Sequence, residues 1–130
     1  MPAPTSATFS AAALIAAQTA FRDLVDAGSG PGVIRIRSAG DTLLAEVALT
    51  DPCGTVNGTT GQLTLTAAGP DTSADAGGTA AYAQVCDSAG TVHLSMPAES
   101  GISPVSGKVV FNTLTIVSGQ PVEIISAVIG

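Results

Sequence analysis

A change of pattern at Gly28-Ser29-Gly30-Pro31-Gly32 constrains the fold of this chain more than any other feature. The residues before it form one alanine-rich segment with helical spacing. The residues after it are short runs of Val, Ile, Thr and Leu separated by Gly, Pro, Asn and Asp, which is typical of antiparallel β-structure. The sequence therefore predicts a mainly β fold, with an N-terminal α-helix followed by a seven- or eight-stranded antiparallel β-sandwich that is jelly-roll-like.

The length of 130 residues fits a single domain. We assign residues 1–8 to an extended arm, 9–27 to the helix and 33–129 to the sandwich. Either Ser6 or Ser10 is positioned to cap the helix, and Gly28 is expected to supply the left-handed residue that ends it.

An apolar stripe runs along the predicted helix at three- and four-residue spacing. It consists of Leu14, Ala17, Phe21, Leu24 and Val25, and Gln18 is expected on the opposite, polar side. An apolar stripe of this kind is normally buried, so we expect it to pack on the sheet or across a subunit contact.

The first predicted hairpin pairs residues 33–37 with residues 42–50. Alternation in the second strand predicts that one set of side chains points inward, namely Leu43, Ala45, Val47 and Leu49. Residues 51–61 are expected to form a loop, and residues 79–87, 113–117 and 122–129 are expected to form strands. Two further segments, 67–78 and 97–107, are expected to be long loops, and the first of them is expected to be mobile unless a neighbour covers it.

The charge of the chain argues against nucleic-acid binding. Four basic residues stand against ten acidic ones, for a formal net charge of −6, whereas a nucleic-acid surface needs clustered Lys and Arg. Arg35 and Arg37 share one face of a predicted strand and are expected to form ion pairs. Only 11% of the residues are charged, and a surface so poor in charge and rich in Thr and Ala favours contact with other subunits. Neither a signal peptide nor a membrane span is predicted.

The residues that carry chemistry do not form a recognisable site. His93 is the single histidine, and no nucleophile motif accompanies it. Asp71, Asp75 and Asp87 lack the spacing of a calcium loop, which favours solvated carboxylates. Cys53 and Cys86 are interpreted as small, partly buried apolar residues, with a disulfide between them as the less favoured alternative. We predict no enzymatic activity, no cofactor and no metal.

Turn and strand patterns over most of residues 10–128 carry a resemblance to a known class of proteins. They include the helix that ends in Ala-Gly-Ser-Gly-Pro-Gly, the strand Val-Ile-Arg-Ile-Arg, and the segments 43–52, 78–82, 87–92 and 116–124. In this layout the chain resembles the small virion proteins of tailed bacteriophages that are described as capsid decoration or cement proteins.

The resemblance implies a structural virion protein that stabilises a capsid by bridging neighbouring capsomers. Its partners would be the major capsid protein and itself, as a dimer or trimer, with no direct contact to nucleic acid or membrane. It would lie on the outer capsid surface of the virion, after assembly in the host cytoplasm. The candidate interface residues are Pro2, Pro4, Phe9, Arg35, Arg37, Asp71, Asp75, Ile102 and Pro104.

Two other functions stay open at this point. A phage tail or head-completion (connector) protein would use the same design in a ring, and it would differ in its copy number per particle. A carbohydrate-binding β-sandwich for host attachment would differ by an exposed aromatic or calcium site.

Overall fold

The computed structural model describes residues 8–130 as one N-terminal helix followed by nine strands. The elements are α1 (Ala11–Asp26), β1 (Val33–Arg37), β2 (Leu43–Val56), β3 (Leu63–Ala67), β4 (Gly78–Thr79), β5 (Tyr82–Cys86), β6 (Val92–Ser100), β7 (Lys108–Phe111), β8 (Thr115–Ile116) and β9 (Ser126–Ile129). The prediction of a mainly β chain with one N-terminal helix is confirmed.

The ends of α1 follow from local chemistry. Ser10 is the N-cap, and its hydroxyl oxygen accepts a hydrogen bond of 3.1 Å from the Ala13 amide. The helix ends at Asp26, two residues before Gly28, whose φ of 118° is a conformation that side chains disfavour. The alternative cap, Ser6, lies outside the described residues.

The structure does not confirm the two-sheet sandwich, because seven strands close into a barrel in the order β1-β2-β3-β9-β7-β6-β5. The physical reason lies in the two longest strands, which change neighbours along their length. β2 pairs with β1 up to Ala48 and with β3 from Leu49 onward. β6 pairs with β5 up to Pro97 and in parallel with β7 from Ala98 onward. Strands shared in this way join the two layers into one ring.

The register of these pairs separates the connections into two groups at opposite ends of the barrel. At one end, here called the distal end, lie the connections 38–42, 68–81 and 112–125, and the connection 101–107 begins there, beside Phe111. At the other end, here called the helix end, lie 27–32, 57–62 and 87–91. The longest irregular segments therefore gather at the distal end.

Helix α1 lies across the helix end. A Cβ added to Gly61 would meet Leu14 at 2.8 Å, one added to Gly130 would meet Gln18 at 2.9 Å, and one added to Gly32 would meet Val25 at 2.5 Å. Glycine at these positions lets the helix approach the barrel closely. Asp26 fixes the far end of α1, because its carboxylate accepts a hydrogen bond of 2.8 Å from the Cys53 amide.

The buried face of α1 differs from the predicted stripe. Val25 and Gln18 are buried, whereas Leu24 is 49% exposed and Ala17 is exposed. Leu24 therefore does not pack on the sheet, which leaves the subunit contact as the remaining prediction for it. The prediction that Gln18 faces solvent is wrong. The reason is a hydrogen bond, since the Gln18 amide donates to the Ile129 carbonyl over 3.1 Å and can be buried at little cost.

Burial in the first hairpin follows the prediction except at its start. Ala45, Val47 and Leu49 are buried as expected, but Leu44 is also buried and Leu43 is only partly so. The register shifts between Ile36 and Arg37, so β2 carries one extra residue there and two consecutive side chains turn inward.

Several segments that were predicted as loops or strands have different bounds. Residues 51–56 and 97–100 continue strands β2 and β6 and are not loops. Conversely, the predicted strands 113–117 and 122–129 shrink to β8 and β9, which leaves an irregular segment between them. The strand predicted at 79–87 is split into β4 and β5.

Candidate interaction surface

The distal end is built from two segments that hydrogen-bond to each other. Asp71 and Val122 exchange both main-chain hydrogen bonds, at 2.8 and 2.7 Å, and Ala74 exchanges another pair with Gly119 and Gln120, at 2.9 Å each. β4 and β8 then continue the pairing. Segment 67–78 is thus covered by residues 115–122. Mobility was predicted for this segment only if no neighbour covered it.

Asp71 holds the distal end to the barrel wall. One carboxylate oxygen accepts a hydrogen bond of 2.9 Å from the Glu46 amide in β2, and the other accepts one of 3.0 Å from the Ser73 amide. Asp75 lies in the same segment with an exposed side chain, and its amide donates to the Leu44 carbonyl over 2.8 Å. Of the two candidate acids, Asp71 is engaged internally and Asp75 presents its charge outward.

Two grooves lie side by side at the distal end. The larger has a volume of about 390 Å³ and runs between residues 111–117 and 120–125. The smaller, of about 270 Å³, lies against the end of β3 and the segment at Pro70. Both grooves are lined by Glu123 and Ile125, so these residues form a ridge between them.

Apolar side chains are exposed around these grooves. Val117 is 57% exposed and Ile125 is 43% exposed, and both line the larger groove. Ile102, with 83% of its surface exposed, follows Gly101, whose amide donates to the Phe111 carbonyl beside the same groove. Pro104 is exposed further along that connection. The distal end thus presents large apolar groups beside the Glu123 carboxylate, and the exposed Asp75 carboxylate lies at the same end.

The two candidate arginines lie on the outer face of β1. The Arg35 guanidinium forms an ion pair of 3.0 Å with Glu46, as the sequence predicts. Arg37 instead donates to the Gln84 side-chain oxygen over 2.7 Å and to the Asp41 carbonyl over 3.0 Å. The prediction of an ion pair is not met at Arg37. It contacts Asp41 only through the main-chain oxygen, and the Asp41 carboxylate accepts a hydrogen bond from the Tyr82 hydroxyl.

The remaining candidates are not part of the distal end. Phe9 is 76% exposed and directly precedes the cap of α1. Pro2 and Pro4 lie outside the described residues. The candidate interface residues therefore do not form one patch: Asp75 lies at the distal end, the arginines lie on the barrel wall, and Phe9 lies beside the helix.

His93 and Asp87 form a polar pair at the helix end. His93 Nε2 and Asp87 Oδ2 are 3.0 Å apart, and the two side chains are 15% and 16% exposed. Asp87 also accepts the amide hydrogens of Ala89 and Thr91, each over 3.0 Å. The hydrogen bond from His93, followed by those amides, lowers the pKa of Asp87. These contacts hold the β5–β6 turn.

The two cysteines of the described residues are buried and weakly acidic. Cys53 and Cys86 are free, buried thiols within the described residues. Burial, together with the charge of Asp26, raises the pKa of Cys53 to about 12, and burial also raises the pKa of Cys86. Thiols in this state are poor nucleophiles. Across residues 8–130, His, Cys, Asp and Glu side chains form no group of three or more suited to a metal ion.

The one helix in the described part of the chain is too short and too polar to cross a bilayer. Comparison of the sequence and fold with models of protein families, with curated proteins and with solved structures gives no match. Function therefore has to be inferred from the surfaces of this chain.

Sequence patterns did not reveal the grooves at the distal end. Residues 113–117 and 122–129 alternate like strands, so the irregular segment between them was not anticipated. The available signal was the turn sequence Ser118-Gly119-Gln120-Pro121, since Pro121 cannot donate to a strand neighbour.

Proposed function

We propose that this chain is a non-enzymatic structural protein that decorates and stabilises a bacteriophage capsid by bridging neighbouring capsomers. The observation that carries the proposal is the distal end, where Ile102, Val117 and Ile125 expose apolar surface around two grooves. Exposed apolar groups that adjoin a concave surface are typical of protein contacts. In the proposal, the partner is the major capsid protein.

The way the distal end is held supports this role. Its two segments are joined by main-chain hydrogen bonds between Asp71 and Val122, and Asp71 ties them to β2. A contact surface that is ordered before binding loses less conformational entropy when it binds. Such a surface is suited to a clamp that recognises an assembled shell.

Mass action explains how a small protein of this kind would strengthen a capsid. A ligand that binds the assembled shell but not free capsomers stabilises the assembled state in proportion to its occupancy. Many copies bound at equivalent positions add their effects, and copies that associate with one another bind multivalently. A modest contact at each distal end is therefore enough.

The experiment is a binding assay with empty shells assembled from the major capsid protein of the same phage. We expect the purified chain to cosediment with shells and to leave unassembled capsid protein in the supernatant. Val117→Asp and Ile102→Asp should each reduce binding by tenfold or more, because each places a charge in an apolar contact; about 1.4 kcal/mol corresponds to tenfold.

Val92→Asp is the matched control. Val92 is 42% exposed, but it begins β6 near the helix end, opposite the distal grooves. This variant should bind shells like the unaltered chain. Equal binding by all three variants would exclude the distal end as the shell contact, and no binding to shells by the unaltered chain would contradict the proposed function.

A ring-forming tail or head-completion protein stays the second candidate, because a preformed distal surface also suits contacts within a ring. It predicts binding to the portal or tail and not to shells. A carbohydrate-binding role is less favoured, since Tyr82 uses its hydroxyl on Asp41 and Phe9 stands apart from both distal grooves.

A further inference from the structure

The outer face of α1, which points away from the barrel, carries apolar side chains along its whole length. Phe9 and Leu24 are 76% and 49% exposed, and the exposed alanines Ala13, Ala16 and Ala20 lie between them on the same side. At 100° per residue Leu24 and the three alanines fall within one stripe about 80° wide, opposite the buried Gln18 and Val25. Phe9 directly precedes the N-cap Ser10 and continues the apolar surface beyond the first turn. An exposed helix of a monomer would normally carry charged residues on this side.

The apolar surface extends beyond the helix. Next to Ala17 a cleft of about 240 Å³ opens between α1 and the barrel, and it is lined mainly by Leu14, Phe21, Leu94 and Ile129. The surface therefore spans a helix face and its flank.

The order of side chains on this face is self-complementary when two copies run antiparallel. If Ala16 of one helix faces Ala17 of the other, Ala13 faces Ala20, and Leu24 lies at the level of Phe9, just before the N-cap of the other helix. Small residues then meet at the centre, where helices approach within about 8 Å, and large residues close both ends. The same patch is used by both copies, as a two-fold axis requires.

Charge favours the same arrangement. The sequence has no charged residue between Phe9 and Arg22, so two copies bring no like charges together along most of the face. In the antiparallel register Asp23, whose side chain is 67% exposed, lies opposite Ser10 and the first turn of the other helix. That turn has no acidic residue of its own, and a helix N-terminus attracts a carboxylate.

We infer that the outer face of α1 is a homodimer interface in which two copies of this chain pack their helices antiparallel across a two-fold axis at Ala16 and Ala17. The inference deepens the proposed function by assigning the self-contact to the helix and leaving the distal end for the shell. It rests on the proposed function only for the statement that copies of the chain associate with one another. The isolated protein, without shells, is enough to test that statement. A helix pair is a small interface, so the dimer should be weak in solution.

Cysteine cross-linking tests the register directly, because Cys53 and Cys86 are buried and the unaltered chain should not cross-link. Under mild oxidation Ala16→Cys should form a disulfide dimer by itself. Ala13→Cys and Ala20→Cys should each stay monomeric alone, since the two like positions are about 10 Å apart along the axis, and should cross-link when mixed.

Two outcomes of cross-linking would overturn the inference. Rapid cross-linking of Ala13→Cys alone would indicate a parallel pair or a random encounter. Absence of cross-linking in both Ala16→Cys and the mixture, with native circular dichroism, would show that the face does not pair with itself.

A second measurement follows dissociation by analytical ultracentrifugation over a dilution series. Ala20→Glu should weaken the dimer by about tenfold or more, because it buries an unpaired charge. Thr59→Glu, which adds the same charge at the exposed β2–β3 turn, should leave it unchanged. Two outcomes would overturn the inference. The unaltered chain would be monomeric at every concentration, or Ala20→Glu would lose shell binding without a change in self-association, which would assign the face to another partner.

Discussion

Gln18 of α1 donates a hydrogen bond from its Nε2 atom to the main-chain oxygen of Ile129 in β9, which lies 111 positions later in the sequence. The contact joins the first element of the barrel protein to the last one. It also explains why a polar side chain lies on the buried face of an otherwise apolar helix. The position of α1, and with it the orientation of its outer face, depends on this contact and on Asp26.

Replacing Gln18 with methionine should destabilise the protein by about 1 kcal/mol. Methionine keeps the volume of the side chain but leaves the Ile129 oxygen without its donor. The free energy of unfolding in urea measures the effect. Gln62→Met is the control, because Gln62 makes a longer bond of 3.3 Å to the exposed Gly130 oxygen. Equal stability of Gln18→Met and the unaltered chain would contradict the role given to this bond.

Gly54→Ala should cost about 1–3 kcal/mol of stability or more. A Cβ atom at this position would lie 2.2 Å from the Thr64 carbonyl oxygen, so strands β2 and β3 would have to separate. Gly58→Ala is the matched control, since its Cβ would meet no atom within 4 Å. Thermal unfolding of the two variants compares them, and similar melting temperatures would show that the close approach of β2 to β3 is unimportant.

Acid should destabilise the protein in part through Asp87. The pKa of Asp87 is lowered in the folded state by His93 and by the amides of Thr91 and Ala89. A lowered pKa means that the folded state binds the proton less well than the unfolded state. The contribution is therefore present above the ordinary carboxyl pKa and is lost as the pH falls through the folded value.

The measurement is the stability of Asp87→Asn as a function of pH. The variant should be less stable than the unaltered chain at pH 7, and the difference should shrink below about pH 4. Asp75→Asn, at an exposed position on the distal end, should run parallel to the unaltered chain. A constant difference between Asp87→Asn and the unaltered chain down to low pH would rule out this contribution.

The two thiols should react with Ellman's reagent only when the protein unfolds. Both are buried, and the pKa of Cys53 is raised to about 12, so little thiolate forms at neutral pH. In guanidinium chloride both should react within the mixing time. Fast reaction of the native protein at pH 8 would contradict their burial, and it would also remove the silent background on which the cross-linking depends.

The local parts of the fold were predictable from sequence, and the long-range parts were not. Ser10, Gly28 and the apolar spacing of residues 14–25 set the helix within two residues of its observed bounds. Alternation found the first hairpin, but it missed the extra residue at Leu44, because a register shift depends on both strands. Closure into a barrel escaped prediction since it requires that β2 and β6 change partners halfway.

The candidate surfaces were predictable only in part. An exposed Ile102 and an outward-facing Asp75 agree with the predicted surface loops. The distal grooves depend on how residues 69–79 pair with residues 114–122, a contact that no local pattern encodes. The outer face of α1 was not distinguished from its buried face, because the expected stripe placed Leu24 on the same side as Val25.

The copy number of this chain in purified virions tests the proposed decoration of a phage shell. Quantitative mass spectrometry against the major capsid protein measures it. Shell decoration predicts on the order of hundreds of copies, in a simple ratio to the capsid protein, since icosahedral shells repeat each contact many times. About six or twelve copies would indicate a ring at the connector or tail, and absence from the virion would contradict the account.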